Sequence, residues 1–256
     1  MPSNLASLVR NLQQKKGRQR RHLAVAEGVR LVEEALAAGV TFRGVITGSS
    51  FGNGGRAGRL LRDLAAHAVP IEEVADRVLG SLADTDTPQG ILAVLEPPTW
   101  SLAAVQAVPG APVVVLDGVQ DPGDVGTLLR TAFALGAGGA ILLKGTADPT
   151  NAKVMRAGMG ATFRLPTAMA DEAEFRAWIE RTRPTVWAAA LEGTLLARVP
   201  RPKRLVLIVG SEGAGIRPAV AELAATRVAI PLARGAESLN VAVAAGIILH
   251  EVQRGG

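Results

Sequence analysis

Five short runs in the second half of the chain are almost wholly apolar: Val113–Leu116, Ala140–Leu143, Val186–Ala190, Leu205–Val209 and Val228–Ile230. Each is too short for a buried helix, and none alternates as a strand with one wet face does. Continuous runs of this kind suit strands covered on both faces of a parallel sheet. Helical patterns fall between them at about 125–135, 150–158, 171–182 and 216–225, and a last one spans about 239–253. The alternation predicts an α/β fold with helices on both sheet faces. Ligands of such sheets bind at the carboxyl ends of the strands, so chemistry is sought in the loops that follow them.

Residues 96–112 carry Pro97, Pro98, Pro109 and Pro112 around one possible short helix. Proline fixes φ and removes a backbone donor, so this stretch reads as a linker. It divides the chain into an N-terminal domain at 1–95, the linker, and a second domain at 113–256. The first domain shows helical spacing at Val29, Val32, Ala35 and Leu36, ending at Gly39. Short β-like runs follow at Phe42–Thr47, Ile71–Val74 and Ile91–Leu95, with a glycine- and serine-rich loop over 48–55.

Composition narrows the function classes. With 48% hydrophobic residues the 256-residue chain has ample core, and with no cysteine it has no disulfide frame and no thiolate metal site. His22, His67 and His250 lie too far apart for a local metal-ligand spacing, so no metal is expected. No apolar run approaches the roughly 18 residues of a membrane helix. The Met-Pro-Ser-Asn start lacks an apolar signal core, so a cytoplasmic protein is expected. The net charge is +5, and residues 1–21 hold Arg10, Lys15, Lys16, Arg18, Arg20 and Arg21 with no acidic residue. This is the pattern of an arm that meets a polyanion, although a solvated basic helix end has the same composition. Three Trp, five Phe and no Tyr are too few for a base-stacking platform.

Three loops carry candidate chemistry. In DGVQDPGDVGTLLRTAFALGA (117–137) a strand ends at Asp117, Asp121-Pro122-Gly123 turns, and a helix is expected to begin near Asp124 as N-cap. Arg130 lies on that helix, where it could point back toward the strand ends. In LIVGSEGAGI (207–216), glycines 210, 213 and 215 allow close backbone approach to a ligand. This loop is neither a Walker A sequence nor G-x-G-x-x-G, which counts against a nucleotide-dependent oxidoreductase. In IPLARGAESLNVAVA (230–244), Ser238 or Asn240 is placed to cap the last helix.

Taken in order, these motifs resemble the SpoU–TrmH family of RNA 2′-O-ribose methyltransferases, within the SPOUT superfamily. The matching segments are DPGDVGTLLRTA, NAKVMRAGMGATFRLP (151–166), IVGSEGAGI and IPLARGAESLNVAVA. HLAVAEGVRLVEEAL and TPQGILAVLEP resemble the family's N-terminal substrate-binding domain. The chain departs from the family pattern at Asp124, where Asn is usual, at Gly158, where a small hydroxyl residue is usual, and at Leu232, where Met is usual.

The resemblance implies a parallel sheet threaded into a deep trefoil knot, a smaller α/β RNA-binding domain before it, and a homodimer. It implies S-adenosylmethionine as cofactor, contacted by Gly210, Ile230, Leu239 and the nearby Leu232. Arg130 takes the family's catalytic position, either as a base or as a clamp on the adjacent phosphate. Ser238 and Asn240 are implied to orient ribose and cofactor, and Glu212 to orient Arg130 or its loop. Lys153 and Arg156 are implied to contact RNA phosphates, together with the basic arm. Ribosomal RNA is the implied substrate ahead of transfer RNA. A scaffold that binds RNA but has lost catalysis is the remaining alternative, kept open by Asp124. At that position a carboxylate either favours the sulfonium cofactor over its neutral product or ion-pairs with Arg130.

Overall fold

The computed structural model describes residues 4–52 and 54–253. The Met1-Pro2-Ser3 start and Asn53 of the expected loop at 48–55 lie outside the described residues. The chain forms two compact units, whose first boundary falls within the expected linker but whose division also crosses the second domain. One unit comprises the chain up to Pro98 together with Asp148–Phe163, and the other holds Thr99–Ala147 and the chain from Arg164 onward.

The first unit contains α1 (Asn4–Leu12), α2 (Lys15–Arg21), β1 (Ala24–Glu27), α3 (Val29–Ala37), β2 (Thr41–Gly48), α4 (Gly55–Ala66), β3 (Ile71–Val74), α5 (Asp76–Gly80) and β4 (Ile91–Glu96). Its four strands lie in the order β1-β4-β2-β3, antiparallel except for the β2–β3 pair. Period-two alternation sends Ala24, Ala26, Val45, Ile91, Ala93 and Leu95 to one face, against Leu31, Val32 and Ala35 of α3 and Leu60 and Leu64 of α4. Val25, Ile46, Leu92 and Val94 face the other way, against Ala6, Val9 and Leu12 of α1. Met155 and Phe163 belong to the first of these cores. That is why Asp148–Phe163, which forms α7 (Ala152–Gly158) and begins α8 (Ala161–Arg164), belongs to this unit.

Arg18 corrects the expectation of a uniformly free basic arm. It is buried, and its Nη2 meets Asp148 Oδ2 at 2.8 Å. Its Nη1 donates to the carbonyls of Leu12 and Gln13 at 3.2 and 3.0 Å, and its Nε donates to Thr150 Oγ1 at 3.2 Å. A guanidinium so enclosed binds its own chain and not an external phosphate. Arg10, Lys15, Lys16, Arg20 and Arg21 are exposed.

The second unit contains β5 (Val113–Asp117), α6 (Pro122–Ala134), β6 (Gly139–Leu143), β7 (Thr167–Ala170), α9 (Glu172–Thr182), β8 (Thr185–Leu195), β9 (Leu205–Gly210), α10 (Pro218–Ala221), β10 (Thr226–Ala229) and α11 (Val241–Gln253). The sheet is wholly parallel, in the order β10-β8-β9-β5-β6-β7. Val113, Val115, Ile141, Leu143, Val206 and Ile208 pack with Phe175 and Trp178 of α9 and Val220 of α10. The alternate residues Val114, Leu116, Leu142, Leu207 and Val209 are equally buried and face the side where α6 and α11 pack. The expected linker is largely part of this unit and forms turns, not a helix. Its Val105 and Ala107 enter the core, and Trp178 Nε1 donates to the carbonyls of Leu102 and Val105 at 3.2 and 3.3 Å. Among the described residues no helix is long and apolar enough to cross a membrane.

The Arg18–Asp148 pair generates a prediction. Burial alone raises the Asp148 pKa, but hydrogen bonds from the Thr150 hydroxyl and main chain, and then from Arg18, outweigh it and hold the carboxyl below its usual range. A depressed folded-state pKa contributes stability above the unfolded value of about 3.9, and that contribution is lost as pH falls through the folded value. Arg18→Ala, which strands a buried carboxylate, is expected to cost about 3–5 kcal/mol at neutral pH. The cost should shrink below about pH 4. Urea titrations of both proteins at pH 7 and pH 3 measure it, and a cost independent of pH would exclude the charge as its source.

Candidate active site

β8 itself and the loops after β9 and β10 close around one cavity of about 320 Å³. Parallel strands end on the same side, so their carboxyl-end loops converge there. β8 contributes Ala189, Ala190 and Leu191, the loop after β9 contributes Gly210–Ile216, and Ile230 and Leu232 follow β10. Ser238, Leu239, Val241, Ala244 and Ile248 complete the wall. The four residues expected at the cofactor, Gly210, Ile230, Leu232 and Leu239, therefore share one cavity with Glu212 and Ser238. The lining is main chain and apolar side chain with a single formal charge, the Glu212 carboxylate.

The loop after β9 is shaped by a group that the sequence did not single out. Asp117, fully buried at the end of β5, lies opposite Gly210 in the sheet. Its carboxylate accepts from the Arg217 main-chain N–H and Nε, each at 2.7 Å, and Arg217 Nη2 lies 2.6 Å from Oδ1. These hydrogen bonds hold the Arg217 pKa above its ordinary value. One residue thus holds both ends of the 210–217 loop, Gly210 through strand pairing and Arg217 through its carboxylate. Inside it, Ser211 and Gly215 exchange two main-chain hydrogen bonds of 3.2 and 2.8 Å. The loop folds back so tightly that a Cβ on Gly210 would lie 2.2 Å from the Gly215 carbonyl carbon.

The start of α6 corrects the expected cap. Asp121, not Asp124, is the N-cap: its Oδ1 accepts from the main-chain N–H groups of Gly123 and Asp124 at 2.7 and 3.0 Å. Pro122 takes the first helical position, where its missing donor costs nothing. Asp124 is left with its carboxylate directed outward, where Oδ1 accepts from Asn240 Nδ2 at 2.8 Å. The same amide nitrogen donates to Glu212 Oε1 at 2.8 Å, while Asn240 Oδ1 caps α11 by accepting from Ala242 and Val243 at 3.0 and 3.4 Å. An amide flip would face its oxygen toward two carboxylates and its N–H groups toward a helix N-terminus, so this orientation is fixed. Asn240, and not Ser238, is the cap of α11.

Glu212 is bonded to Asn240; of the two roles the resemblance implied, orienting Arg130 or orienting its loop, the structure shows no contact with Arg130. Arg130 is exposed on α6 and makes no hydrogen bond or ion pair among the described residues. It does not line the cavity. In the first unit Lys153 is exposed on α7. Arg156, expected at an RNA phosphate, is paired within the protein: Nη2 meets Asp84 at 3.1 Å and Nη1 meets the buried Glu27 at 3.8 Å. Its charge is thereby committed. Among the described residues no three His, Asp or Glu side chains gather as a metal site.

Comparison with known proteins decides the family. The model of the SpoU rRNA methylase family matches residues 111–250, and that of an MRM3-like substrate binding domain matches residues 7–93. The chain belongs to the SpoU rRNA methylase family. It is 32% identical over 245 residues to the 23S rRNA (guanosine(2553)-2′-O)-methyltransferase RlmP of Bacillus subtilis, covering 95% of this chain and 94% of that one. An AdoMet-bound rRNA methyltransferase from Sinorhizobium meliloti superposes with a TM-score of 0.86 at 32% identity, over 98% and 95% of the two chains. The SpoU methyltransferase AviRb from Streptomyces viridochromogenes, in complex with AdoMet, gives 0.88 at 27% identity, over 99% and 98%.

In this SpoU-family chain, Gly210→Ala should disrupt the cavity selectively. The new methyl meets main chain, which cannot rotate aside, so the loop must move while the buried strand behind it stays in register. Cofactor affinity is expected to fall at least about tenfold, a 1.4 kcal/mol step. Calorimetric titration beside a thermal melt checks it, and unchanged affinity would show that the loop's path does not shape the cavity.

Proposed function

We propose that this protein transfers a methyl group from S-adenosylmethionine to a ribose 2′-oxygen of ribosomal RNA. The observation that carries this reading is the cavity beside β8 and the ends of β9 and β10. Its apolar and main-chain lining suits an adenine ring and a thioether chain, and its one charge, at Glu212, repels phosphate and attracts a cation. The ligand and substrate named for the relatives support the same assignment. An rRNA substrate places the reaction where ribosomes are made, in the cytoplasm.

When bound, the cofactor supplies an activated methyl on a good leaving group, so the protein's task is to place the hydroxyl and ease loss of its proton. Gly210, Ile230, Leu232 and Leu239 hold the cofactor. Arg130, exposed and without a partner among the described residues, clamps the phosphate beside the target ribose and stabilises the alkoxide as it develops. A guanidinium is too basic to take the proton itself. Ser238 orients the ribose from the cavity rim. Asn240 fixes Glu212 relative to the first turn of α6. The C-terminal trefoil knot is part of this reading, carried by membership of the family. Phe133 of α6 and Val243 and Ile247 of α11 expose apolar surface that a second copy would cover, which supports a homodimer.

Methyl transfer from labelled S-adenosylmethionine to ribosomal and transfer RNA, followed by mapping of the product, tests the reaction. Labelled transfer RNA with unlabelled ribosomal RNA would reassign the substrate. No transfer with intact RNA binding would favour the scaffold that has lost catalysis. Arg130→Ala is expected to retain less than about a tenth of the single-turnover rate, with cofactor affinity within a few-fold. A larger residual rate would remove Arg130 from the reaction.

RNA affinity should fall with salt through the exposed part of the basic arm. Each phosphate contact contributes about 0.9 to the slope of log K against log salt on a duplex, and about 0.7 on a single strand. Lys15→Ala with Lys16→Ala is therefore expected to reduce that slope without changing the melting temperature. Binding isotherms at several salt concentrations check this, and an unchanged slope would move the RNA contact off the arm.

A further inference from the structure

The cavity described above has an electrostatic asymmetry that its shape does not require. Glu212 is the only charged residue in its wall. Asn240 Nδ2 donates 2.8 Å hydrogen bonds to Glu212 Oε1 and to Asp124 Oδ1, so those two oxygens lie no more than about 5.6 Å apart, twice one bond length. Among the described residues neither carboxylate forms an ion pair with Lys, Arg or His. Asn240 holds the pair without neutralising it, because an amide carries no net charge and its oxygen is turned to the first N–H groups of α11.

The compensation that exists is partial. Asp124 lies in the first turn of α6, and Asn240 caps α11, so two helix N-termini face this corner. Each is equivalent to about half a positive charge, and that of α6 is shared with its cap carboxylate Asp121, so the corner keeps a net negative charge. Methyl transfer changes the cofactor by one methyl and one unit of positive charge. The donor carries a sulfonium, and the product is a neutral thioether with the same adenosine and amino-acid parts. Glu212 belongs to the cavity wall but is exposed, so its field reaches a sulfonium in the cavity with water screening on the open side and less screening along the apolar wall.

We propose that Glu212 and Asp124, coupled through Asn240, discriminate the methyl donor from its demethylated product by charge. The proposal rests on reading the cavity as the S-adenosylmethionine site. The methyl leaves sulfur for the ribose oxygen, the sulfur keeps the bonding electron pair and becomes neutral, and the hydroxyl proton is released. The attraction that recruited the donor therefore ends with the reaction, and the product leaves more readily than its size and apolar contacts alone would allow. An asparagine at position 124 would keep an oxygen able to accept from Asn240 but would add no charge, so Asp124 strengthens the effect.

Isosteric amides isolate the charge. In Glu212→Gln and Asp124→Asn a side-chain oxygen remains to accept from Asn240, so the network persists while one negative charge is removed. Calorimetric affinities of wild type, both single variants and the double variant are measured for three probes. These are S-adenosylmethionine, S-adenosylhomocysteine, and an analogue with an ammonium group in place of the sulfonium. The ratio of product to donor dissociation constants is expected to fall about three- to tenfold in Glu212→Gln, to fall also in Asp124→Asn, and to fall furthest in the double variant. The ammonium analogue should follow the donor, and the product affinity should change less than twofold. A ratio that stays constant, whether all affinities hold or all fall together, overturns the proposal, because a damaged loop weakens every ligand alike. Failure of the wild type to bind either natural ligand is a different result: it removes the cofactor reading itself, and the charge proposal with it.

Discussion

A parallel sheet buried on both faces leaves only its strand ends for polar chemistry, and the second unit is organised by that constraint. β5 and β9, at the centre, have no exposed face. Their polar groups appear where the strands stop, at Asp117 and Gly210. Asp117 is a buried carboxylate, costly unless partnered, and Arg217 supplies two hydrogen bonds and an ion-pair contact to it from one residue. Meeting that need also fixes the 210–217 loop over the cavity. The same contact that makes the strand end tolerable makes the binding wall rigid.

The site is a set of interlocked main-chain turns more than a collection of reactive side chains. Asn240 illustrates the economy, since one amide caps α11 with its oxygen and joins α6 to the 210–217 loop with its nitrogen. Such a corner suits a reaction whose activated group arrives on the cofactor. The reaction proposed above needs a shaped recess, an electrostatic bias and a cation for the RNA. The structure offers a recess beside β8 and the ends of β9 and β10, carboxylates at Glu212 and Asp124, and an exposed arginine at position 130.

In the first unit, charges adjacent in sequence have opposite fates. Arg18 and Arg20 lie on one short helix, yet Arg18 is buried against Asp148 and Arg20 faces solvent. The basic composition of residues 1–21 is thus partly structural. Arg156 behaves similarly, with Glu27 and Asp84 as its partners. In both cases the acidic partner is distant in sequence, so neither pairing follows from local spacing.

The sequence by itself determined the fold class and the family, and it pointed to Gly210, Glu212, Ile230, Leu232, Ser238 and Leu239, which share one cavity. The apolar runs at 113–116, 140–143 and 205–209 are strands because only double burial accounts for them. Ile71–Val74 and Ile91–Leu95 were legible for their β-branched and aliphatic residues. β1 and β7 were not, because Ala24–Glu27 and Thr167–Ala170 are short and alanine-rich, and alanine favours helix as readily as burial. Tertiary structure alone decided that Asp148–Phe163 joins the first unit, since Met155 and Phe163 are apolar residues that any core would accept. It also decided that Asp121 caps α6 and Asn240 caps α11, choices between neighbouring good caps that propensity cannot separate. Local sequence sets which residues can bury or cap. Which partner each one finds depends on contacts about 100 residues away, as between Asp117 and Arg217, and that distance is closed only by the folded chain.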